Sequence, residues 1–252
     1  GGLGGVDVDG GGCDNTCSND LTKVLDCYGK VVTECTSEQG CNNGGCIDDP
    51  CLAAELAKSS FGCDYYALKT GLLNEAKGAC FAAFVANTWS TPVKLAVEYD
   101  GQNLPVNFAY IPKGQGAAVT YEPYDEVAGL GVGEVAILFL ARNQFGFVID
   151  CPEAAALSSE VGVPGTGRGK AFHITTDKPV VAYQILPYGG GPSAFSSATL
   201  LLPTSAWDTN YVAINAYPKS QIAPASPSLD ILAHEDGTTI TILPKVDIQP
   251  GN

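Results

Sequence analysis

Seven of the ten cysteines in this 252-residue chain fall before residue 52: Cys13, Cys17, Cys27, Cys35, Cys41, Cys46 and Cys51. Cys63, Cys80 and Cys151 follow. An even count, concentrated in a Gly-, Asp- and Asn-rich stretch with little apolar content, reads as a disulfide framework made in an oxidising compartment, extracellular or periplasmic. Zinc is the rival reading. Structural zinc sites pair cysteines as C-x2-C or recruit histidine, and this stretch offers C-x3-C, C-x7-C and C-x4-C steps with no histidine. Residues 13–63 therefore form a module in which cross-links replace a core, each contributing roughly 2–4 kcal/mol. The spacing leaves the pairing of these eight cysteines open.

The rest of the chain has a different character. Apolar residues make up 45% and charged residues 16%, with 30 Gly and 16 Pro, so the chain is long and apolar enough to bury a core and is built for turns. Thirteen basic against 27 acidic residues give a net charge of −14, a surface that repels phosphate backbones and excludes nucleic acid as a partner. The longest apolar run, Val135 to Ala141, is far short of the roughly 20 residues of a membrane helix. Gly1 is not an initiator, which suggests a processed chain or a fragment of a longer one.

Residues 1–12, "GGLGGVDVDGGG", read as a tether that packing against another surface would hold. "LAAELAK", Leu52 to Lys58, sets Leu52 and Leu56 one turn apart and predicts a short helix. Residues 64–252 read as strands. In "VKLAVEY" Val93, Leu95, Val97 and Tyr99 share one face, and turn residues punctuate every run. No run of core-helix length appears after residue 75. The expected fold is all-β, an antiparallel β-sandwich led by the disulfide-rich module.

"LDILAHEDGTTITILP", Leu229 to Pro244, reads as a hairpin. Leu229, Ile231 and Ala233 alternate inward, Asp236-Gly237 turns the chain, and Ile240 and Ile242 alternate inward again. His234 then sits at a strand end facing water, and the acidic pair Glu235-Asp236 is a turn. A shift of 147 residues lays this pattern over "FVANTWSTPVKL", with Ala86 on Ala233, Val93 on Ile240 and Leu95 on Ile242. The correspondence suggests a second β unit starting near residue 200 and lacking its later strands. Such a unit would present an open edge, to be filled by further chain or by strand addition from another subunit.

Motifs that would carry chemistry fail on their own terms. "GVPGTGRGKA" has Pro164 where a phosphate loop needs Gly and Ala171 where Ser/Thr would hold magnesium, and it leads into a strand. "GLGVGE" fails as a dinucleotide fingerprint for the same structural reason, and "GPSAFSS" is not a nucleophile elbow. His173 lies on a strand facing away from Phe172 and Ile174, and Asp177-Lys178-Pro179 reads as a hairpin turn. Asp7 and Asp9 mimic the first ligands of a calcium loop, but Ser18 stands where its Glu should be. No cofactor or metal is expected. Among the aromatics Tyr65, Tyr66, Trp89, Tyr121, Tyr124, Tyr188 and Trp207, the ligand-contact candidates are Trp89, Tyr124, Tyr188 and Trp207, placed in loops where a ring can stack on a ligand.

The stretches "CFAAFVANTWSTPVKLAVEY", "GKAFHITTDKPVVAYQ", "ATLLLPTSAWDTNYVA" and "LDILAHEDGTTITILP" resemble the bacterial IgGFc-binding-protein N-terminal domain family, in its myxobacterial, Cys-led form. The lead "CIDDPCLAAELAKSSFGCDYYA" resembles the segment that precedes such domains on large secreted or surface proteins. The resemblance spans residues 63–252 and rests on structural motifs. It implies a Cys80–Cys151 bridge and a chain shorter than typical members. The antibody binding in the family's name is not carried over, because no ligand residues match one by one. The function expected is that of an extracellular, cell-surface binding or adhesion protein without catalytic activity. Its partner would be a protein or glycan at the bacterial cell surface. The alternative is a structural subunit of a surface filament or sheath, assembled with copies of itself by strand exchange.

Overall fold

The computed structural model describes residues 13–70, 77–144, 149–163, 165–189, 197–214, 228–245 and 247–248. The tether and its Asp7 and Asp9 lie outside them. The chain divides into two compact units, Gly1–Ala57 and Lys58–Asn252. The sequence places this boundary after residue 63. It comes earlier because the strand holding Cys63 belongs to a sheet of the second unit.

In the first unit β1 (Thr16–Cys17), β2 (Lys23–Leu25) and β3 (Val31–Glu34) form an antiparallel sheet in that order, and β4 (Gly40–Asn42) and β5 (Gly45–Ile47) form a hairpin. Asn43 (φ 45°) and Gly44 (φ 72°) make the two-residue turn between β4 and β5, both left-handed as a hairpin of this length requires. Helix α1 (Pro50–Ala57) starts where Asp49 caps it: its Oδ1 accepts from the Leu52 N–H at 2.9 Å, and Pro50 takes the first helical position. The helix buries Pro50, Ala53 and Ala54, while Leu52 and Leu56 are exposed, contrary to the face their spacing suggests. Small residues win that face because β4 lies so close; a Cβ on Gly40 would sit 2.4 Å from the Ala53 Cβ. Disulfides Cys13–Cys27, Cys17–Cys41 and Cys35–Cys46 tie the unit together, and Cys51 and Cys63 are disulfide-bonded as well. Few side chains here are fully buried, so the covalent links carry the stability.

The second unit is an antiparallel sandwich whose two sheets share one long strand. Its strands are β6 (Gly62–Ala67), β7 (Phe81–Ala86), β8 (Leu95–Tyr99), β9 (Gln102–Leu104), β10 (Ala109–Lys113), β11 (Thr120–Pro123), β12 (Val135–Ala141), β13 (Phe172–Leu186) and β14 (Ser197–Leu201). The first half of β13 pairs with β6 and β8, and β9 follows β8, making one sheet. The second half pairs with β7 and β14, and β12, β10 and β11 extend the other sheet.

Asp177-Lys178-Pro179, expected as a hairpin turn, is instead the crossing point inside a continuous strand. Pro179 has no N–H to give a ladder, and it falls in the register break between Thr175 and Val180, where none is required. The bend is held by Lys94 N–H donating to Asp177 Oδ1 at 2.7 Å and by the Tyr65 hydroxyl donating to the Val180 carbonyl at 2.5 Å. "TWST" likewise does not close a hairpin: β7 and β8 lie in different sheets, and the segment between them crosses over. Buried Asn87 fixes that corner, its amide donating to the carbonyls of Thr91, Leu130 and Gly131 and its Oδ1 accepting from the Trp89 N–H.

The core lies between the sheets, with Tyr65, Phe81, Val85, Val97, Leu138 and Phe172 at its centre. The run "VAILFLA" is unbroken because β12 is covered on both faces. Ala136, Leu138 and Leu140 point to that core, and Ile137 and Phe139 point to a second cluster with Cys80, Ala82 and Tyr110 on the outer face. The Cys80–Cys151 disulfide (Cα–Cα 4.9 Å) closes a loop of sequence separation 71 over this outer face, a cross-link of roughly 4 kcal/mol on the chain-entropy account.

The second β unit expected near residue 200 is not formed among the described residues. Ser197–Leu201 is β14, paired with β13 in the second unit's larger sheet, and residues 228–245 carry no strand. The turn at Asp236-Gly237 is present, with Gly237 at φ 78°. Leu229, Ile231, Ile240 and Ile242 nevertheless remain exposed, because no facing layer of the described chain lies over them.

Leu138→Ala, which opens a cavity between the sheets, is expected to cost about 2–5 kcal/mol. Leu243→Ala, at a site 91% exposed, should cost less than about 0.5 kcal/mol. Urea midpoints of the two variants check this; equal losses would refute the assignment of the core.

Candidate functional site

The pleat of β6, β13 and β8 decides what faces outward on the smaller sheet. Tyr65, Phe172, Ile174 and Val97 point into the core, so Asp64, Tyr66, His173 and Glu98 point away from it. The register sets these in a row: His173 lies opposite Tyr66 on one side and opposite Glu98 on the other, and Asn103 of β9 lies opposite Glu98. The His173 ring stacks on Tyr66 with centroids 4.4 Å apart and planes 6° from parallel, and its Nε2 is 3.1 Å from Asp64 Oδ1. Cross-strand ring pairs and diagonal polar pairs of this kind are the ordinary currency of sheet stability.

Two further rings come from distant chain. Trp207 follows a 3₁₀ turn (Thr204–Ala206) and is 5.8 Å from Tyr66, with its Nε1 donating to the Leu202 carbonyl at 3.0 Å. His234, from the "HEDG" turn, meets Tyr66 edge-on at 6.2 Å and Trp207 at 6.5 Å. The only two histidines of the chain thus converge on one tyrosine. Partial burial, and then the charges of Asp64 and Glu98, push the Tyr66 hydroxyl above its ordinary value of 10.0. Asp64 is engaged by His173, whereas Glu98 has no ion-pair partner among the described residues. Among the described residues no group of three or more His, Cys, Asp and Glu is arranged to hold a metal ion.

Of the ligand-contact candidates, Trp207 lies in this cluster. Trp89 and Tyr124 do not reach a surface: both are core residues, Trp89 drawn in by the Asn87 corner and Tyr124 by its hydroxyl, which accepts from Leu95 N–H at 3.1 Å and donates to the Val93 carbonyl at 3.4 Å. Loop position misled here, because these loops fold over the open end of the core. Tyr188 belongs to a separate ring cluster on the outer face of the larger sheet, 5.2 Å from Phe139 and 5.8 Å from Phe84. Burial, then the 2.9 Å contact with the Tyr121 hydroxyl, pushes its own hydroxyl above the ordinary value. His173, read from the sequence as an outward-facing strand residue, His234, read as a strand-end residue, and Asp64 and Glu98, which the sequence did not single out, are the members that folding adds. Outward parity of His173 was readable; the register that joins it to Tyr66 was not.

One buried pair has the composition of an acid–base couple. Lys69 Nζ lies 2.8 Å from Glu160 Oε1, both side chains nearly excluded from water. Glu160 also accepts from the backbone N–H groups of Gly78 (2.6 Å) and Gly162 (2.9 Å). Burial raises its pKa, but the bonds from Lys69, Gly162 and Gly78 outweigh that and hold it below the ordinary value of 4.5. A carboxylate committed to three donors is a structural clasp, not a base.

A family model described as IgGFc binding protein matches residues 197–252, less than a quarter of the chain. The match takes in β14, Trp207 and His234, and leaves β6 to β13 outside it. No curated protein and no solved structure matches the chain. Among the described residues no helix is long and apolar enough to cross a membrane. With every cysteine disulfide-bonded, the similarity points to an extracellular protein of a binding class.

Because Glu160 is held below 4.5, its contribution is present above that pH and is lost as pH falls through the lower folded-state value. Glu160→Gln should cost about 3–5 kcal/mol at neutral pH and flatten the acid limb of stability. Urea unfolding across that range tests both; an unchanged acid limb would assign the loss to other carboxylates.

Proposed function

We propose that this is a non-catalytic extracellular binding protein of the bacterial cell surface, acting in adhesion, and that it engages its partner through the Tyr66–His173–Trp207–His234 face. The observation that carries this reading is the convergence of four rings and two carboxylates from five chain segments on the solvent side of a sheet. Binding sites favour rigid aromatic anchors set among polar groups on a stiff scaffold. The family similarity at residues 197–252 supports a binding class, and the name of that family concerns antibody Fc. The reading assigns both histidines, which pack on the Tyr66 ring, to recognition.

A second reading, a structural subunit assembled by strand exchange, is favoured by one observation. Leu229, Ile231, Ile240 and Ile242, alternating as in a strand, are all exposed, and a strand from another copy would cover them.

The test is an array of extracellular matrix proteins and glycans probed with the wild type and with Tyr66→Ala and Trp207→Ala. Saturable binding that both variants lose is expected, from a sample whose light-scattering mass is near the 26.0 kDa of one chain. A large or polydisperse mass would favour the subunit reading. A blank array, joined with hydrolytic turnover that His173→Ala abolishes, would overturn the binding reading.

A further inference from the structure

The ring cluster also carries a charge pattern that selects among ligands. Glu98 lies opposite His173 in the cross-strand row and Asp64 lies diagonal to it, Asp208 follows Trp207, and Glu235 and Asp236 follow His234. Lys170, a counter-charge that also feels Asp236, is paired with Asp100 at 2.7 Å in the β8–β9 turn. The patch is therefore net negative on a chain of net charge −14, and its field reaches Tyr66, whose hydroxyl feels both Asp64 and Glu98.

Ring faces and unneutralised carboxylates together are what a cation seeks. A guanidinium gains more than an ammonium, because it is planar, sheds water readily, stacks on aromatic rings and pairs bidentately with a carboxylate. An acidic ligand is repelled. A neutral sugar would use the rings but draw nothing from the charge.

We propose that the outer face of the smaller sheet, around Tyr66, His173, Trp207 and Glu98, recognises an arginine side chain on the surface of a protein partner. Trp207 and Tyr66 supply ring surface, Glu98 supplies a carboxylate with no ion-pair partner among the described residues, and Asp64 orients His173 through the 3.1 Å contact. The inference rests on the binding reading above and narrows it to one chemistry.

Trp207 reports on this directly, since the other tryptophan, Trp89, is in the core. The emission of the full chain is titrated at low salt with acetyl-Gly-Arg-Gly-amide and with the isosteric citrulline peptide, which lacks the charge. A saturable change is expected with the arginine peptide alone, absent in Trp207→Phe and several-fold weaker at about 200 mM salt. Glu98→Gln should weaken binding about tenfold, and Glu98→Lys should abolish it. Glu55→Gln, on the exposed side of α1 in the other unit, should leave it unchanged, which separates this site from a general pull of the net charge.

No response to the arginine peptide, an equal response to citrulline, equal weakening by Glu55→Gln, or a response to a neutral oligosaccharide instead would overturn the assignment. Each of these is compatible with a positive array, so the arginine assignment can fail while the binding reading stands; a blank array removes both.

Discussion

The sandwich depends on β13 serving two sheets. Its first half must pair on both edges, with β6 and β8, and its second half on both edges, with β7 and β14. A straight strand cannot lie in the middle of two packed sheets, so the chain has to bend where it leaves one for the other. Pro179 is compatible with that point because the broken ladder asks nothing of its missing N–H. Everything outward on the smaller sheet inherits its position from this arrangement. With Phe172 and Ile174 committed to the core, His173 faces solvent between Tyr66 and Glu98.

The two units are stabilised by different means. The first has small buried residues, such as Val24, Ala53 and Ala54, and would expose too much surface without its disulfides. The second buries large side chains on both faces of β12 and adds one disulfide on the outer face. Two of its interior polar groups are satisfied locally: the Asn87 side chain makes four hydrogen bonds at the corner between the sheets, and Lys69 is matched by Glu160. Such anchoring lets the connecting segments cross over the core without leaving backbone or amide groups unpaired.

A face built this way is suited to recognition. Strands held in ladders keep Asp64, Tyr66, His173 and Glu98 at fixed separations, so little ordering entropy is lost when a ligand arrives. Trp207 and His234 come from the part of the chain that resembles the IgGFc-binding family, and they complete a surface whose base comes from strands outside that match.

The sequence by itself determined the all-β class, the disulfide-stabilised character of the first unit, the Asp236-Gly237 turn and the inward parity of residues such as Val97 and Leu95. These follow from local rules of alternation, turn chemistry and cysteine count, which need no knowledge of neighbours. Only the tertiary structure decided that Asp177-Lys178-Pro179 is a crossing point inside a strand, and that Trp89 and Tyr124 are interior. It also decided that Leu229 and Ile242 face outward. Each of these turns on which strand lies alongside or which layer lies on top, and pairing across 100 or more residues leaves no trace in local periodicity. The same reason hid the site: Tyr66 and His173 stack because a register brings together β6 and β13, and register is a property of the sheet, not of either strand.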